Sequence, residues 1–80
     1  MSEASYQRKL IKQYESEGWY VLRLITTTTN GIPDLLLLKP DNVRFVEVKA
    51  KNGKLSKLQE YRIKELNELG FKVDVEHEPK

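Results

Sequence analysis

Eighty residues, 39% of them hydrophobic and 32% charged, fit one small domain, residues 1–80, with a modest core. No cysteine is present and His77 is the sole histidine, which excludes disulfides, thiolate zinc sites and histidine-rich metal sites, so any catalysis rests on carboxylates, lysine and a hard metal. The net charge of +2 hides a basic middle: Arg44–Lys64 holds seven basic residues against Glu47 and Glu60, after a balanced start (five of each sign over 1–43) and before an acidic end (two basic against five acidic). Such a middle suits a face that attracts phosphates, or else a solvated lysine-rich turn and helix.

In chain order, Glu3 to Glu17 reads as an amphipathic helix, with Tyr6, Leu10, Ile11 and Tyr14 on one stripe. Either Ser2 or Ser5 caps it, and Gly18 stops it. Trp19–Thr29, rich in aromatic and β-branched residues, reads as a strand, followed by an Asn30-Gly31 hairpin turn. Pro33 suits the first position of the next strand, Asp34–Lys39. Its run Leu35–Leu38 is the longest apolar stretch, far below the roughly 20 residues of a membrane span, and implies burial on both faces. Pro40-Asp41-Asn42 turns the chain into a third strand, Val43–Ala50, ended by Asn52-Gly53. Ser56 caps a second helix to Leu69, with Leu58, Tyr61, Ile63, Leu66 and Leu69 as its apolar residues. Gly70 stops it, Phe71–Val75 alternates as a last strand, and Glu76–Lys80 reads as a frayed tail. Trp19 and Tyr20 are expected in the core or a dimer interface, and His77 is an exposed tail residue without a role.

The second and third strands form a hairpin, so Asp34 at the start of one approaches Glu47 and Lys49 at the end of the other. Glu47 and Lys49, two apart, share a face. Charges on strands that otherwise read as core are costly unless paired or liganded. Convergent carboxylates suit Mg²⁺ or Mn²⁺, with the lysine beside them stabilising developing charge or helping to deprotonate a water. The alternative is an ion pair of Lys49 with Glu47 or Asp34 closing a sheet edge.

Pro33-Asp34, twelve intervening residues, then Glu47-Val48-Lys49 resembles the signature of the PD-(D/E)XK nuclease superfamily. More narrowly, Gly31-Ile32-Pro33-Asp34-Leu35, Phe45-Val46-Glu47-Val48-Lys49-Ala50, Gly53-Lys54-Leu55-Ser56 and Gln59 resemble the virus-type replication-repair nuclease (VRR-NUC) family over about Glu3 to Val75. The resemblance implies an α/β (α+β) fold with a restriction-endonuclease-like core: α-β-β-β-α-β, a mixed four-stranded sheet flanked by two helices. It implies that Asp34, Glu47 and the Val48 backbone carbonyl ligate Mg²⁺ or Mn²⁺, that Lys49 acts on the water or the transition-state charge, and that Gln59 supports the site. An acid of the first helix usually joins; Glu3 and Glu17 both point along the buried stripe, and Glu3 is chosen over Glu17 because its end of the helix faces Asp34.

Lys51, Lys54 and Lys57 are candidate DNA-backbone contacts, with simple solvation as the alternative for each. Ser56 is first a helix cap and second a phosphate contact; Gly31 serves a positive φ or the close approach of a phosphate. The resemblance further implies a homodimer cutting branched DNA such as four-way (Holliday) junctions in DNA repair. No membrane and no organic cofactor are expected. With no charged-then-apolar leader, the expected location is the cytoplasm of a bacterial or phage-infected cell. Two other readings stay open: a non-catalytic nucleic-acid-binding module, and a subunit of a repair or restriction complex.

Overall fold

The computed structural model describes residues 2–79, as α1 (Glu3–Ser16), β1 (Tyr20–Arg23), β2 (Leu35–Lys39), β3 (Asn42–Lys49), α2 (Lys57–Glu68) and β4 (Lys72–His77). The strands lie side by side in chain order. The first three are antiparallel, and β4 runs parallel to β3 after the α2 crossover. The mixed sheet and two helices match the expected fold.

Ser2, not Ser5, caps α1: its hydroxyl accepts from the Ser5 N–H at 3.1 Å. Tyr6, Leu10 and Tyr14 then bury against Trp19, Leu35, Leu37, Val46 and Val48, and the last four have no exposed surface. Each such side chain contributes about 1.5–3 kcal/mol by leaving water. Gly18 (φ 94°) ends the helix in the left-handed region and turns the chain at once into Trp19 and β1. Trp19 therefore joins the core, with the Lys39 ammonium 4.4 Å from its ring centre, whereas Tyr20 is 67% exposed.

Alternation along β3 sends Val46 and Val48 to α1 and Glu47 to the other face, where Gln59 of α2 meets it. The two helices thus cover opposite faces, unequally. Among the described residues α2 buries none completely, and Leu58, Tyr61 and Leu69 of its expected stripe are exposed. Leu36 and Leu38 are consequently only half-buried, so β2 is sealed on one face and not on both. No described helix is long and apolar enough to cross a membrane.

Several boundaries differ from expectation. β1 is four residues long instead of the whole of Trp19–Thr29, because β2 begins at Leu35 and offers Arg23 its last strand partner. One further bond, Leu24 N–H to the Asp34 carbonyl at 2.8 Å, closes the ladder, and residues 25–33 form a loop. Asn30-Gly31 is a turn within that loop and not a two-residue hairpin. The tight hairpin is Pro40-Asp41, with Asp41 at φ 60° and β3 starting at Asn42. β4 extends to His77 instead of stopping at Val75, since β3 continues beside it to Lys49. Glu78 N–H adds a bond to the Lys49 carbonyl at 3.0 Å, so this stretch is not a frayed tail; Lys80 lies outside the described residues.

Candidate active site

Leu35 pairs with Val46, so one step further along the hairpin Asp34 lies opposite Glu47. The next rung would pair Pro33 with Val48. Pro33 has no N–H to give the Val48 carbonyl, which leaves that oxygen without a backbone donor from β2. The Val48 N–H on the same side donates to Asp34 Oδ2 at 2.8 Å. A buried proline thus ends the ladder, and the Val48 N–H is taken up by the Asp34 carboxylate.

Three polar side chains, Asp34, Lys49 and Gln59, converge on Glu47. Its side chain is almost completely enclosed, hydrogen-bonded to the Asp34 carboxyl, with Lys49 Nζ 3.8 Å and Gln59 Nε2 3.5 Å from Oε2. Burial first, then the hydrogen bond and charge of Asp34, push the Glu47 carboxyl up to about 8; Lys49 pulls it down and the charge of Glu3 adds a small upward push. A carboxyl desolvated beside a second acid holds its proton more tightly.

Gln59 is aimed by the start of its helix. Ser56 Oγ accepts from the Gln59 N–H at 3.1 Å, and the Gln59 Oε1 accepts from the Ser56 N–H at 2.9 Å. This capping box fixes the amide oxygen and leaves the NH₂ group directed at Glu47.

A VRR-NUC domain profile matches residues 6–77, nearly the whole chain. The chain belongs to the VRR-NUC family. Membership makes it a nuclease of the PD-(D/E)XK type, with DNA as the implied substrate and a general use of divalent metal among such enzymes. No curated protein sequence matches it.

The site residues expected from the sequence are brought together unevenly. Asp34, Glu47, Lys49 and Gln59 converge, and two adjacent carboxyl groups are a donor set that suits a hard cation. Glu3 sits exposed in the first turn of α1, near enough for its charge to reach Glu47. No group of three or more acidic or histidine side chains suited to a metal is assembled among the described residues, so Glu3 is not part of a third-acid cluster here. Glu17, the C-cap residue, is at the far end of α1.

Lys51 and Lys54 are exposed on the loop after Lys49, and Lys57 opens α2. The Ser56 hydroxyl is engaged in its cap. Gly31 has a positive φ of 83°, and its open side faces α2: a Cβ there would sit 2.7 Å from Leu58 Cγ and 3.1 Å from Arg62 Cγ. The close approach that needs this glycine is to the helix.

Two residues escaped the sequence reading. Arg62 Nε donates to the Asn30 carbonyl at 2.8 Å, fastening the loop that leads to Asp34 onto the helix that carries Gln59. His77, in register with Lys49, has its Nε2 2.9 Å from the Gly53 carbonyl and ties the basic loop to β4. Extending the Val73, Val75 alternation by one more step to His77 was the available signal; nothing local marks Arg62.

Proposed function

We propose that this VRR-NUC protein is a Mg²⁺- or Mn²⁺-dependent endodeoxyribonuclease that acts as a homodimer on branched DNA, such as four-way junctions, in the cytoplasm of a bacterial or phage-infected cell. The observation that carries this reading is Asp34 facing the enclosed Glu47, with Lys49 and Gln59 directed at the same Glu47 carboxyl.

In this reading Asp34, Glu47 and the Val48 carbonyl hold the cation, with Glu3 contributing its charge from the start of α1. Bound there, a divalent ion supplies Lewis-acid polarisation of a phosphoryl oxygen and a more acidic water. Gln59 keeps the Glu47 carboxylate turned inward. Lys49, with its side chain 14% exposed, holds a fixed positive charge where negative charge grows on phosphorus, a role that needs no reorganisation during the reaction. Lys51, Lys54, Lys57 and the Ser56 turn guide the DNA backbone to the site.

Self-association draws support from α2. Tyr61 and Leu69, 56% and 69% exposed, border a groove of about 550 Å³ together with Lys64, Glu65 and Glu68. Apolar residues mixed with both signs of charge suit a two-fold contact, where Lys64 of one copy meets an acid of the other. Branch selectivity rests on the family resemblance, since a symmetric pair of sites suits two strands cut symmetrically.

The test is nicking of four-way, flap and duplex DNA with Mg²⁺ or Mn²⁺. Lys49→Ala is expected to lower the rate by roughly 100-fold or more, the cost typical of losing one transition-state charge partner. A Lys49→Ala protein as fast as wild type refutes the mechanism.

A further inference from the structure

We infer that the outer face of α1 is a second track for a nucleic-acid backbone, separate from the lysine loop; the inference rests on the nuclease reading above and extends its substrate contacts. Between Glu3 and Glu15 the sequence has no acidic residue, but it has Arg8, Lys9 and Lys12. At 100° per residue Ser5, Arg8 and Lys12 point roughly 140–160° away from the middle of the Tyr6–Leu10–Tyr14 stripe, and Lys9 sits at the edge of this face, where it also borders Tyr6, Leu10, Glu17 and Glu76.

Ser5, Arg8, Lys9 and Lys12 together line a shallow depression of about 310 Å³. All three cations are exposed. Arg44 is paired with Asp74 and Arg62 with Glu65, whereas none of these three has an ion-pair partner among the described residues. Arg8 Nη2 is steered by a 3.3 Å hydrogen bond to Ser5 Oγ, whose own partner is the capping Ser2. Glu15 ends the stripe one turn beyond Lys12; the repulsion between like charges one turn apart, unrelieved by any ion pair of these three among the described residues, favours a polyanion.

Position identifies the polyanion. The stripe lies at the end of α1 where Gln7 Oε1 accepts from Arg23 Nε at 3.2 Å, and Arg23 is the strand partner of Leu35 next to Asp34, so it adjoins the end of the sheet where Asp34 and Glu47 meet. A membrane surface is a poorer match, because the apolar face of α1 is consumed by the core and is not available for lipid. Arg8 and Lys12 are separated by about 6 Å along the helix axis, a spacing that suits successive charges of a phosphodiester chain. The lysine loop leads into α2, on the other face of the sheet. Two cationic surfaces on opposite faces, meeting at one end, suit DNA whose arms diverge from the cut point.

The experiment measures binding of a four-way DNA in EDTA over a range of KCl concentrations. It compares wild type, a variant combining Arg8→Ala, Lys9→Ala and Lys12→Ala, and one combining Lys51→Ala, Lys54→Ala and Lys57→Ala. Alanine favours helix, so the α1 variant is expected to keep its melting temperature. Its affinity should fall at least tenfold or so, and the slope of log affinity against log salt should flatten by roughly 2–3, near 0.9 per lost phosphate contact. An α1 variant that matches wild type in affinity and slope, while the lysine-loop variant weakens, overturns the α1 track and leaves the nuclease reading intact. Wild type that binds no DNA at any salt overturns both.

Discussion

Glu47 carries a buried carboxyl beside a second acid, Asp34. Its folded carboxyl is held near 8 by burial and by Asp34, while the unfolded chain ionises near 4.5. The folded state therefore binds the extra proton, and the stability this provides is complete below about pH 4.5 and disappears as pH rises through about 8. Metal-free protein is expected to lose melting temperature across that window. Glu47→Gln, which cannot ionise, is expected to flatten the profile; an unchanged slope in the variant contradicts the assignment. The same proton competes with a cation, so Mn²⁺ affinity should increase with pH over the same range, with proton release visible as buffer-dependent heat in calorimetry.

At the scale of elements, the site depends on a loop seated against a helix. Gly31 packs on Leu58 and Arg62 with φ 83°, and Arg62 holds the carbonyl next to it. Gly31→Ala forces both a left-handed alanine and a 2.7 Å contact with Leu58 Cγ. It should cost about 1–3 kcal/mol in urea unfolding. Adding Leu58→Ala should return the steric part of that loss. A stable Gly31→Ala protein shows that the loop does not need its seat.

The same elements explain what local sequence reveals. The β2–β3 hairpin was legible because Pro33 and the Pro40-Asp41 turn bound a short apolar run, and a hairpin's register follows from its turn. The convergence of Asp34, Glu47 and Lys49 followed from that register. The length of β1 was not legible, because β propensity through Thr29 is overruled by a partner strand that starts at Leu35. Nor was the reach of β4: a polar ending looks frayed unless its parallel partner is known to run on to Lys49. The incomplete cover supplied by α2 was hidden for a related reason, since an apolar stripe does not state how much sheet lies beneath it.

On the scale of the whole molecule, α1 seals one face of the sheet and α2 leaves apolar groups in water on the other. Tyr20, Leu58, Tyr61 and Leu69 are each more than a third exposed, a heavy load for so short a chain. A second copy is the occupant proposed for the α2 groove. Sedimentation at micromolar concentration should show a dimer for wild type and a folded monomer for the combination of Tyr61→Glu and Leu69→Glu. Identical sedimentation of the two proteins rules out this surface as the contact.

Catalysis of the proposed kind depends on a cation held between Asp34 and Glu47. The most direct measurement is an anomalous difference map from crystals grown with Mn²⁺ at pH 8, for wild type and Asp34→Asn. The expected result is a single strong peak within about 2.0–2.3 Å of carboxylate oxygens from both residues, lost or greatly weakened in Asp34→Asn. A wild-type map with no peak there, from protein that still cleaves DNA in Mn²⁺, contradicts the account.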